Sequence, residues 1–511
     1  MRAGKGSTMA IINSIASWLI KKRIHQIELF RQYPLEVQRE TFLKLVKSAR
    51  DTEWGKQHHY ADIRDEKQFR RQVQVHDYET FQPYVERIRK GQQNILWPSE
   101  IRWFAKSSGT TSAKSKFIPV SQESLEECHF KGGKDMLTLY LTNFPESQIF
   151  TGKSLTLSGS LRNTGELVNG MEGDLSAVIL HNLPFLAEFA RTPSPDIALM
   201  DNWDKKIAKI AEATIQQNVT SLAGVPSWML LLMHHVLKIT GKRNLHEVWP
   251  ELEVFFHGGV NFSPYQRQFE EIVDTGKMKF LETYNASEGF FGIQDQADKR
   301  DLLLMLDYGI YYEFIPNKLF QEGDRNAIGL DEVQLGVDYA LVISTNGGLW
   351  RYLIGDTIQF TSLHPFRIKI VGRTKHFINA FGEELMIDNT EEAFRIACDK
   401  TNARVLDYTG APVFSDKGNA GAHQYLVEFS QPPKDLIYFS ELFDNALKSL
   451  NSDYEAKRYH DLILGPPQLV NVPESTFYNW LKKQNKLGGQ FKVPRLLNDR
   501  KVIDEIISTL A

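Results

Sequence analysis

The fold of this chain is decided by residues 219–240, VTSLAGVPSWMLLLMHHVLKIT, together with LEVFFHGG at 252–259 and KFLETYNASEG at 279–289. A short apolar run that ends near glycine predicts a strand in each stretch. A long apolar pattern over 227–239 predicts a helix after the first strand. Ser263-Pro264 predicts the start of another helix, with serine as its cap. Strands that alternate with helices in this order are typical of a parallel sheet with right-handed crossovers.

Each of these strands is expected to end in a glycine-containing turn, at residues 224, 258–259 and 284–289. The carboxyl ends of parallel strands meet at one edge of the sheet, and open α/β sheets bind ligands there. We therefore expect the three turns to converge, with the backbone of Gly258 and Gly259 lining a ligand site.

Other segments have a different character. The first hundred residues predict mainly helices, and short apolar runs at 155–157 and 177–180 predict buried strands. Later in the chain the pattern becomes antiparallel, because apolar runs at 341–345 and 349–352 flank Asn346-Gly347, a strong hairpin signal.

The chain is expected to divide near residue 372. Beyond this point a helix, a strand and a second helix are predicted, enough for a small independent domain. The predicted class is α/β. A large N-terminal domain of several subdomains, residues 1–371, combines a parallel βαβ core with a β-rich section. A small, mobile α+β domain comprises residues 372–511.

Composition excludes several classes of protein. The chain has 511 residues and a net charge of -3, so no global positive field points to nucleic acid or to an anionic membrane. No apolar stretch has the length of a transmembrane helix, and we expect no stable membrane insertion. Cys128 and Cys398 are the only cysteines, which favours a reducing, cytoplasmic location and excludes a disulfide framework.

A hydroxyl-rich loop, SSGTTSAKSK at 107–116, has the composition of a polyphosphate-binding loop. Glycine lets the backbone approach closely, exposed N–H groups form an anion nest, and lysines supply mobile positive charge. It is not the Walker A pattern. Gly152-Lys153-Ser154 is not one either, because Ser147 occupies the position of the upstream glycine. Taken alone, the loop at 107–116 also fits a polar surface turn.

Five motifs follow one another in chain order: SSGTTSAKSK at 107–116, YNASEG at 284–289, RYLIGD at 351–356, VGRTKHFINAFGEEL at 371–385 and KLGGQFKVPR at 486–495. This order resembles the adenylate-forming superfamily. Within it, the chain is similar to the Gretchen Hagen family of auxin-responsive acyl acid–amido synthetases. SSGTT followed by K-x-I-P, NSDYEAKR at 451–458 and QFKVPR carry that resemblance, which spans residues 35–500.

The resemblance implies a ligase that works in two steps. A small carboxylic acid attacks the α-phosphorus of ATP and forms an acyl-adenylate with loss of pyrophosphate. An amine, usually of an amino acid, then displaces AMP and leaves an amide. ATP and Mg²⁺ are the implied cofactors. The alternatives are an acyl-CoA ligase, in which the coenzyme A thiol replaces the amine, and a nucleotide-binding relative without turnover.

The residues expected to bind the nucleotide are Ser107, Ser108, Gly109, Thr110, Thr111, Gly258, Gly259, Tyr284, Asn285, Ala286, Ser287, Asp356 and Arg373. By resemblance, Tyr284 packs on adenine and Asp356 accepts both ribose hydroxyls, for which a carboxylate has two oxygens. Arg373 would reach the ribose or a phosphate.

Three charged residues are expected to serve the chemistry. Glu288 matches the acid that holds Mg²⁺ against the triphosphate, since magnesium needs only one or two carboxylates beside phosphate oxygens. Lys116 matches the terminal lysine of the phosphate loop, and Lys492 the catalytic lysine carried by the C-terminal domain. A glutamate that caps a helix and an ordinary solvated lysine are the structural alternatives for Glu288 and Lys492.

The acyl pocket is assigned to Val225, Trp228, Met229 and His257, although a buried helix face and a structural histidine explain them as well. Ala113 and Lys375 depart from the usual residues of the family and superfamily, which keeps the non-catalytic alternative open. The sequence fixes neither the acid and its acceptor nor the oligomeric state.

Overall fold

The structure of the protein is a computed structural model, in which residues 22–107, 116–162, 170–260, 262–373, 377–414, 420–484 and 493–510 are described. Its helices are α1 (22–32), α2 (Pro34–Ala49), α3 (Glu53–Gln57), α4 (Glu66–Gln72), α5 (Tyr78–Arg89), α6 (Gln122–Ser124), α7 (Phe130–Asn143), α8 (Leu175–His181), α9 (Phe185–Phe189), α10 (Pro195–Ala198), α11 (Trp203–Thr214), α12 (Pro226–Thr240), α13 (Ser263–Ile272), α14 (Asn317–Gln321), α15 (Ile387–Thr401), α16 (Leu436–Leu450), α17 (Ser452–Arg458), α18 (Thr476–Lys483) and α19 (Lys501–Ser508).

The strands are β1 (Trp103–Ser107), β2 (Lys116–Val120), β3 (Lys153–Thr156), β4 (Leu161–Arg162), β5 (Met171–Gly173), β6 (Arg191–Thr192), β7 (Val219–Gly224), β8 (Val254–Gly258), β9 (Lys279–Ala286), β10 (Gly289–Ile293), β11 (Leu302–Leu304), β12 (Ile310–Pro316), β13 (Asp338–Thr345), β14 (Tyr352–Leu363), β15 (Phe366–Arg373), β16 (Phe377–Ile378), β17 (Leu385–Met386), β18 (Arg404–Val413), β19 (Ala422–Gln431) and β20 (Gln468–Val472).

The predicted β-α-β-α-β unit is confirmed. Strands β7, β8 and β9 are parallel neighbours, and helices α12 and α13 connect them. Gly224 lies opposite His257 and Gly258 lies opposite Thr283. The carboxyl ends of the three strands are therefore level, as the glycine-containing turns predict.

These strands belong to one eleven-stranded sheet with the order β12-β13-β14-β15-β11-β10-β9-β8-β7-β3-β6. The half from β9 to β6 is parallel, and the half from β12 to β9 is antiparallel. The two halves meet at β9, which pairs in parallel with β8 and in antiparallel with β10. The β-rich section expected after residue 290 is thus a continuation of the parallel core.

Three smaller sheets complete the fold: β2-β1-β5-β4, the two-stranded β16-β17, and β18-β19-β20. The last of these carries α15 and α16, so the C-terminal section is α+β, as predicted. The predicted fold class is confirmed, whereas a domain boundary at residue 372 stays a prediction. In the part of the chain that the structure describes, no helix has the length and apolar character needed to cross a bilayer.

Several local predictions are wrong. Residues 177–180 lie in helix α8 and not in a strand, because a run of four apolar residues fits a buried helix as well as a strand. Helix α13 begins at Ser263, and Phe262 occupies the cap position that serine was expected to hold. The second hairpin strand was expected at 349–352, but it begins at Tyr352 and continues to Leu363, so Asp356 lies inside it.

A buried ion pair ties the antiparallel half of the sheet to the N-terminal helices. Glu313 on β12 is fully buried, and its carboxylate accepts hydrogen bonds from Nε and Nη2 of Arg351 at 2.9 and 3.0 Å. Nη1 of Arg351 donates to the backbone carbonyls of Arg70 and Val73, at the end of α4. The guanidinium therefore has partners on both layers.

Because Glu313→Ala would leave Arg351 as an uncompensated buried charge, we expect a loss of about 3–5 kcal/mol in the free energy of unfolding. Urea denaturation followed by tryptophan fluorescence measures this loss. The matched control is Glu392→Ala, which breaks an exposed pair with Arg395 on α15 and should cost at most about 1 kcal/mol. Equal losses in the two variants would contradict the role given to the buried pair.

Candidate functional site

A cavity of about 470 Å³ lies at the carboxyl ends of β8 and β9. Residues from four of the five sequence motifs line it. Those expected from the sequence to act here are Ser107, Lys116, Gly259, Tyr284, Asn285, Ala286, Ser287, Glu288 and Asp356. The tertiary structure thus brings together side chains that are up to 249 positions apart in the sequence, from Ser107 to Asp356.

The two ends of the hydroxyl-rich loop are fixed by a β-hairpin. Ser107 ends β1, Lys116 begins β2, and the two residues lie opposite each other in the antiparallel ladder. Both line the cavity. Residues 108–115, which include Ser108, Gly109, Thr110, Thr111 and Ala113, lie outside the described residues. The chain between the hairpin ends therefore starts and finishes at the cavity.

Two glycines shape the end of β8. A Cβ on Gly258 would stand 2.5 Å from the carbonyl oxygen of Thr283, a distance that no side chain tolerates. Gly259 has a φ of +82°, in the region that favours glycine. Only Gly259 of the two lines the cavity, and Gly258 holds β8 close against β9.

A short hydrogen bond joins two of the expected nucleotide-binding residues. The hydroxyl of Tyr284 donates to Oδ2 of Asp356 at 2.5 Å, and both side chains are buried. In sheet order, three strands separate β9 from β14. Since neighbouring strands are about 4.8 Å apart, a flat sheet would hold these strands roughly 19 Å apart. The sheet must curl to bring the two side chains into contact.

Tyr352 connects two of the expected functional charges and was not singled out by the sequence. Its hydroxyl accepts a hydrogen bond from Nζ of Lys116 at 3.1 Å and donates one to Oε1 of Glu288 at 3.2 Å. Tyr352 is fully buried, and its ring packs edge-to-face on Phe81. The phenol therefore holds the ammonium and the carboxylate at fixed positions relative to each other.

Burial changes the ionisation of the acidic groups at the cavity. It raises the pKa of the Glu288 carboxyl above its ordinary value, and the positive charge of Lys116 offsets part of this increase. Burial also raises the pKa of Glu282 to about 7, against a smaller opposite effect of Arg300. Both glutamates line the cavity, so its charge depends on pH, near neutrality in the case of Glu282.

The C-terminal section closes one side of the cavity. Asn379, Glu384, Phe414 and Asn498 all contribute to its lining. The backbone N–H of Asn379 donates to Oδ1 of Asn498 at 2.7 Å, and its side-chain amide donates to the carbonyl of Gly259 at 3.4 Å. None of these residues was predicted, because their contribution depends on how the two sections pack.

Arg373 ends β15 directly opposite Asp356 in the antiparallel ladder, so its backbone lies beside the cavity. Its side chain, together with Lys375 and Lys492, lies outside the described residues. The functions assigned to these three residues stay predictions, as do the individual roles of the residues that line the cavity.

The residues assigned to the acyl pocket do not line this cavity. Trp228 and Met229 are buried in the core around α12, and Nζ of Lys457 lies 4.8 Å from the Trp228 ring centre. The buried His257 ring stacks on Phe262 at 4.0 Å, and burial lowers its pKa to about 3, so it is neutral. Val225 lies next to Gly259, 3.5 Å from the position of a Cβ there.

One carboxylate with phosphate oxygens can hold Mg²⁺, and Glu288 has the position and the chemistry for this. In the described part of the chain no three metal-binding side chains cluster together. The donor set fits magnesium carried by a nucleoside triphosphate better than a metal held by protein alone.

Relatives and solved structures resemble this chain along most of its length. It is 22% identical to an indole-3-acetic acid-amido synthetase of Arabidopsis thaliana, over 90% of this chain and 89% of the relative. It is 24% identical to a jasmonoyl–L-amino acid synthetase of Nicotiana attenuata, over 94% of each.

Two solved structures share the fold. An acyl acid amido synthetase in complex with 2,4-DB superimposes with a TM-score of 0.59 and 18% identity, over 93% of this chain and 94% of that one. A 2-hydroxyisobutyryl-CoA ligase, in complex with 2-HIB-AMP and CoA, gives a TM-score of 0.54 and 13% identity, over 93% and 91%.

Family models match three consecutive parts of the chain. The GH3 family N-terminal domain matches residues 23–278, the central domain residues 303–373 and the C-terminal domain residues 388–501. Together these matches cover most of the sequence and follow the order of the domains in the family. The chain therefore belongs to the GH3 family, as the motifs at 107–116 and 486–495 predict.

Proposed function

We propose that this protein activates a small carboxylic acid with ATP and transfers the acyl group to an amine, with an amino acid as the favoured acceptor. The proposal rests on one observation above all. A single cavity is lined by both ends of the hydroxyl-rich loop, by Glu288 and by Asp356. These are the groups needed to bind a polyphosphate, a divalent cation and a ribose. Membership of a family whose relatives are named amido synthetases supports the same reaction.

In the first step, an oxygen of the substrate carboxylate attacks the α-phosphorus of ATP, and pyrophosphate leaves. Lys116 lines the cavity and would neutralise the charge of the polyphosphate. The carboxylate of Asp356 lines the cavity and would accept from the ribose hydroxyls, while its Oδ2 also accepts from Tyr284. Mg²⁺, bound by Glu288 and phosphate oxygens, would supply further charge neutralisation.

In the second step, the amine attacks the carbonyl carbon of the acyl-adenylate, AMP leaves, and the amine gives up a proton. We propose that the section after residue 372 rotates between the two steps and that Lys492 reaches the α-phosphate during adenylation. The side-chain amide of Asn379 donates to the carbonyl of Gly259, so this section touches the proposed nucleotide site. A cytoplasmic location remains a proposal from the cysteine content.

Exchange of labelled pyrophosphate into ATP, measured over a panel of carboxylic acids, tests the first step. We expect exchange that depends on at least one acid and falls about 10²–10³-fold in Lys492→Ala. Product analysis tests the second step. An amino acid should be acylated, whereas consumption of coenzyme A would favour the acyl-CoA ligase. ATP binding without acid-dependent exchange over the whole panel would contradict the proposal and favour a relative without turnover.

Asp356→Asn should raise the KM for ATP in the exchange assay about 10- to 100-fold, since hydrogen bonds to a charged acceptor contribute about 1.5–3 kcal/mol. Tyr284→Phe is the matched control for the hydrogen bond between the two residues. It removes the phenolic donor but leaves both carboxylate oxygens available, so its effect should be smaller. An unchanged KM in Asp356→Asn would remove this residue from nucleotide binding.

Because the pKa of Glu288 is raised, we expect pyrophosphate exchange to need more magnesium as the pH falls below this pKa. This rise in the half-saturating magnesium concentration is the acid limb of its pH dependence. Below this pKa the carboxyl is neutral and binds the cation poorly, and above it the anion is present. Lys116 lowers the pKa, and the Tyr352 hydroxyl donates to the carboxylate. We therefore expect Lys116→Met and Tyr352→Phe to move the limb to higher pH.

Half-saturating magnesium concentrations, measured at a series of pH values, give the position of this limb. Lys205→Met, which removes an exposed lysine on α11, should leave it in place. A limb at the same pH in all variants would show that Glu288 does not control the metal requirement.

A further inference from the structure

A second cavity, of about 310 Å³, lies at the opposite end of the parallel strands. Lys153 begins β3, Arg191 begins β6 and Gln217 lies two residues before β7, and all three residues line this cavity. Because β3, β6 and β7 run parallel, the cavity lies at their amino ends. The nucleotide cavity lies at the carboxyl ends, so the two cavities share no lining residue.

Arg191 is 7% exposed, and its three guanidinium nitrogens are buried without a hydrogen-bond partner in the described part of the chain. Burial lowers its pKa to about 10, which still leaves it a cation at neutral pH. A guanidinium out of contact with water and without an anion is strongly unfavourable. The arrangement therefore favours an anion that is not part of the chain.

The other buried arginines have carboxylate partners, which Arg191 lacks in the part of the chain that the structure describes. Among the described residues, each of the remaining arginines in the buried class forms an ion pair with a carboxylate: Arg89 with Glu172, Arg351 with Glu313, Arg367 with Asp295 and Arg458 with Asp444. Glu188 is the acidic residue at the Arg191 cavity, but it is exposed and is not within ion-pair distance of Arg191.

The same cavity also has an acceptor without a donor. Nε2 of Gln217 donates to the carbonyl of Ala213 at 2.7 Å, which fixes the orientation of the amide. Oε1 of Gln217 is buried and has no hydrogen-bond partner among the described residues. A complementary ligand would therefore carry both an anionic group for Arg191 and an N–H donor for Gln217.

We infer that this cavity binds a small α-amino acid. Its carboxylate would pair with the fork of Arg191 once that side chain turns from its buried position toward the cavity, with support from Lys153, because guanidinium and carboxylate match as two parallel hydrogen bonds. Its ammonium would face Oε1 of Gln217 and the carboxylate of Glu188. Inorganic phosphate fits less well, since it carries no positive charge to pair with Glu188 and its own negative charge repels that carboxylate. The volume suits a small ligand.

Binding is tested on the full-length protein without ATP or acid, so that no acyl-adenylate is present. Each proteinogenic amino acid is first screened by thermal shift and then measured by calorimetry, with inorganic phosphate as comparison. We expect at least one amino acid to raise the melting temperature in a saturable manner. Arg191→Met should weaken its affinity at least tenfold.

Two further measurements distinguish a loss of amino-acid binding from a loss of folding. Without ligand, Arg191→Met should melt at the same or a higher temperature than the wild type, because an apolar side chain replaces an unpaired buried charge. Its acid-dependent pyrophosphate exchange should be retained, so a failure of this inference is distinguishable from a failure of the proposed ligase. Arg395→Met, at an exposed arginine on α15, is the control and should bind like the wild type.

If Arg191→Met does not fold, Lys153→Met at the half-buried lysine provides the second variant, again with at least tenfold weaker binding expected. The inference is overturned if no amino acid binds the wild type, if phosphate binds and amino acids do not, or if removal of the cation leaves the affinity unchanged.

Discussion

The hydrogen bond between Tyr284 and Asp356 depends on a constraint that governs the whole site: the eleven-stranded sheet must curl between β9 and β14. Strand β9 pairs in parallel on one side and in antiparallel on the other, so all strands from β12 to β6 form one continuous sheet. Both halves contribute residues to the cavity, the parallel half from the ends of β8 and β9 and the antiparallel half from β14 and β15, so its residues come from distant motifs.

Buried charges in this protein are held in two different ways. Glu313 and Arg351 compensate each other within the fold, and their additional bonds to backbone carbonyls join the sheet to the N-terminal helices. Lys116 and Glu288 are instead joined through the neutral phenol of Tyr352. Both of these charged groups line the cavity, so we propose that they bind the substrate and its cation, whereas Glu313 and Arg351 stabilise the fold.

Much of the parallel core could be predicted from the sequence, because apolar runs that end at Gly224, Gly258 and the YNASEG turn are local signals. The motifs also identified the family, and the cavity gathers most of the residues named from them. Predictions failed where local signals are ambiguous. The run at 177–180 is too short to distinguish strand from helix, and the apolar run at 349–352 overlaps β14 only at Tyr352.

The sequence by itself determined the order of elements and the chemical types of residue available to a nucleotide, because hydrophobic period, glycine position and motif order are properties of neighbouring residues. Tertiary structure alone decided that Tyr352 links Lys116 to Glu288, that Asn379 and Asn498 close the cavity, and that Arg191 is buried without a carboxylate. The physical reason is that burial, hydrogen-bond partners and charge compensation depend on which distant segments meet, and no local pattern contains that information.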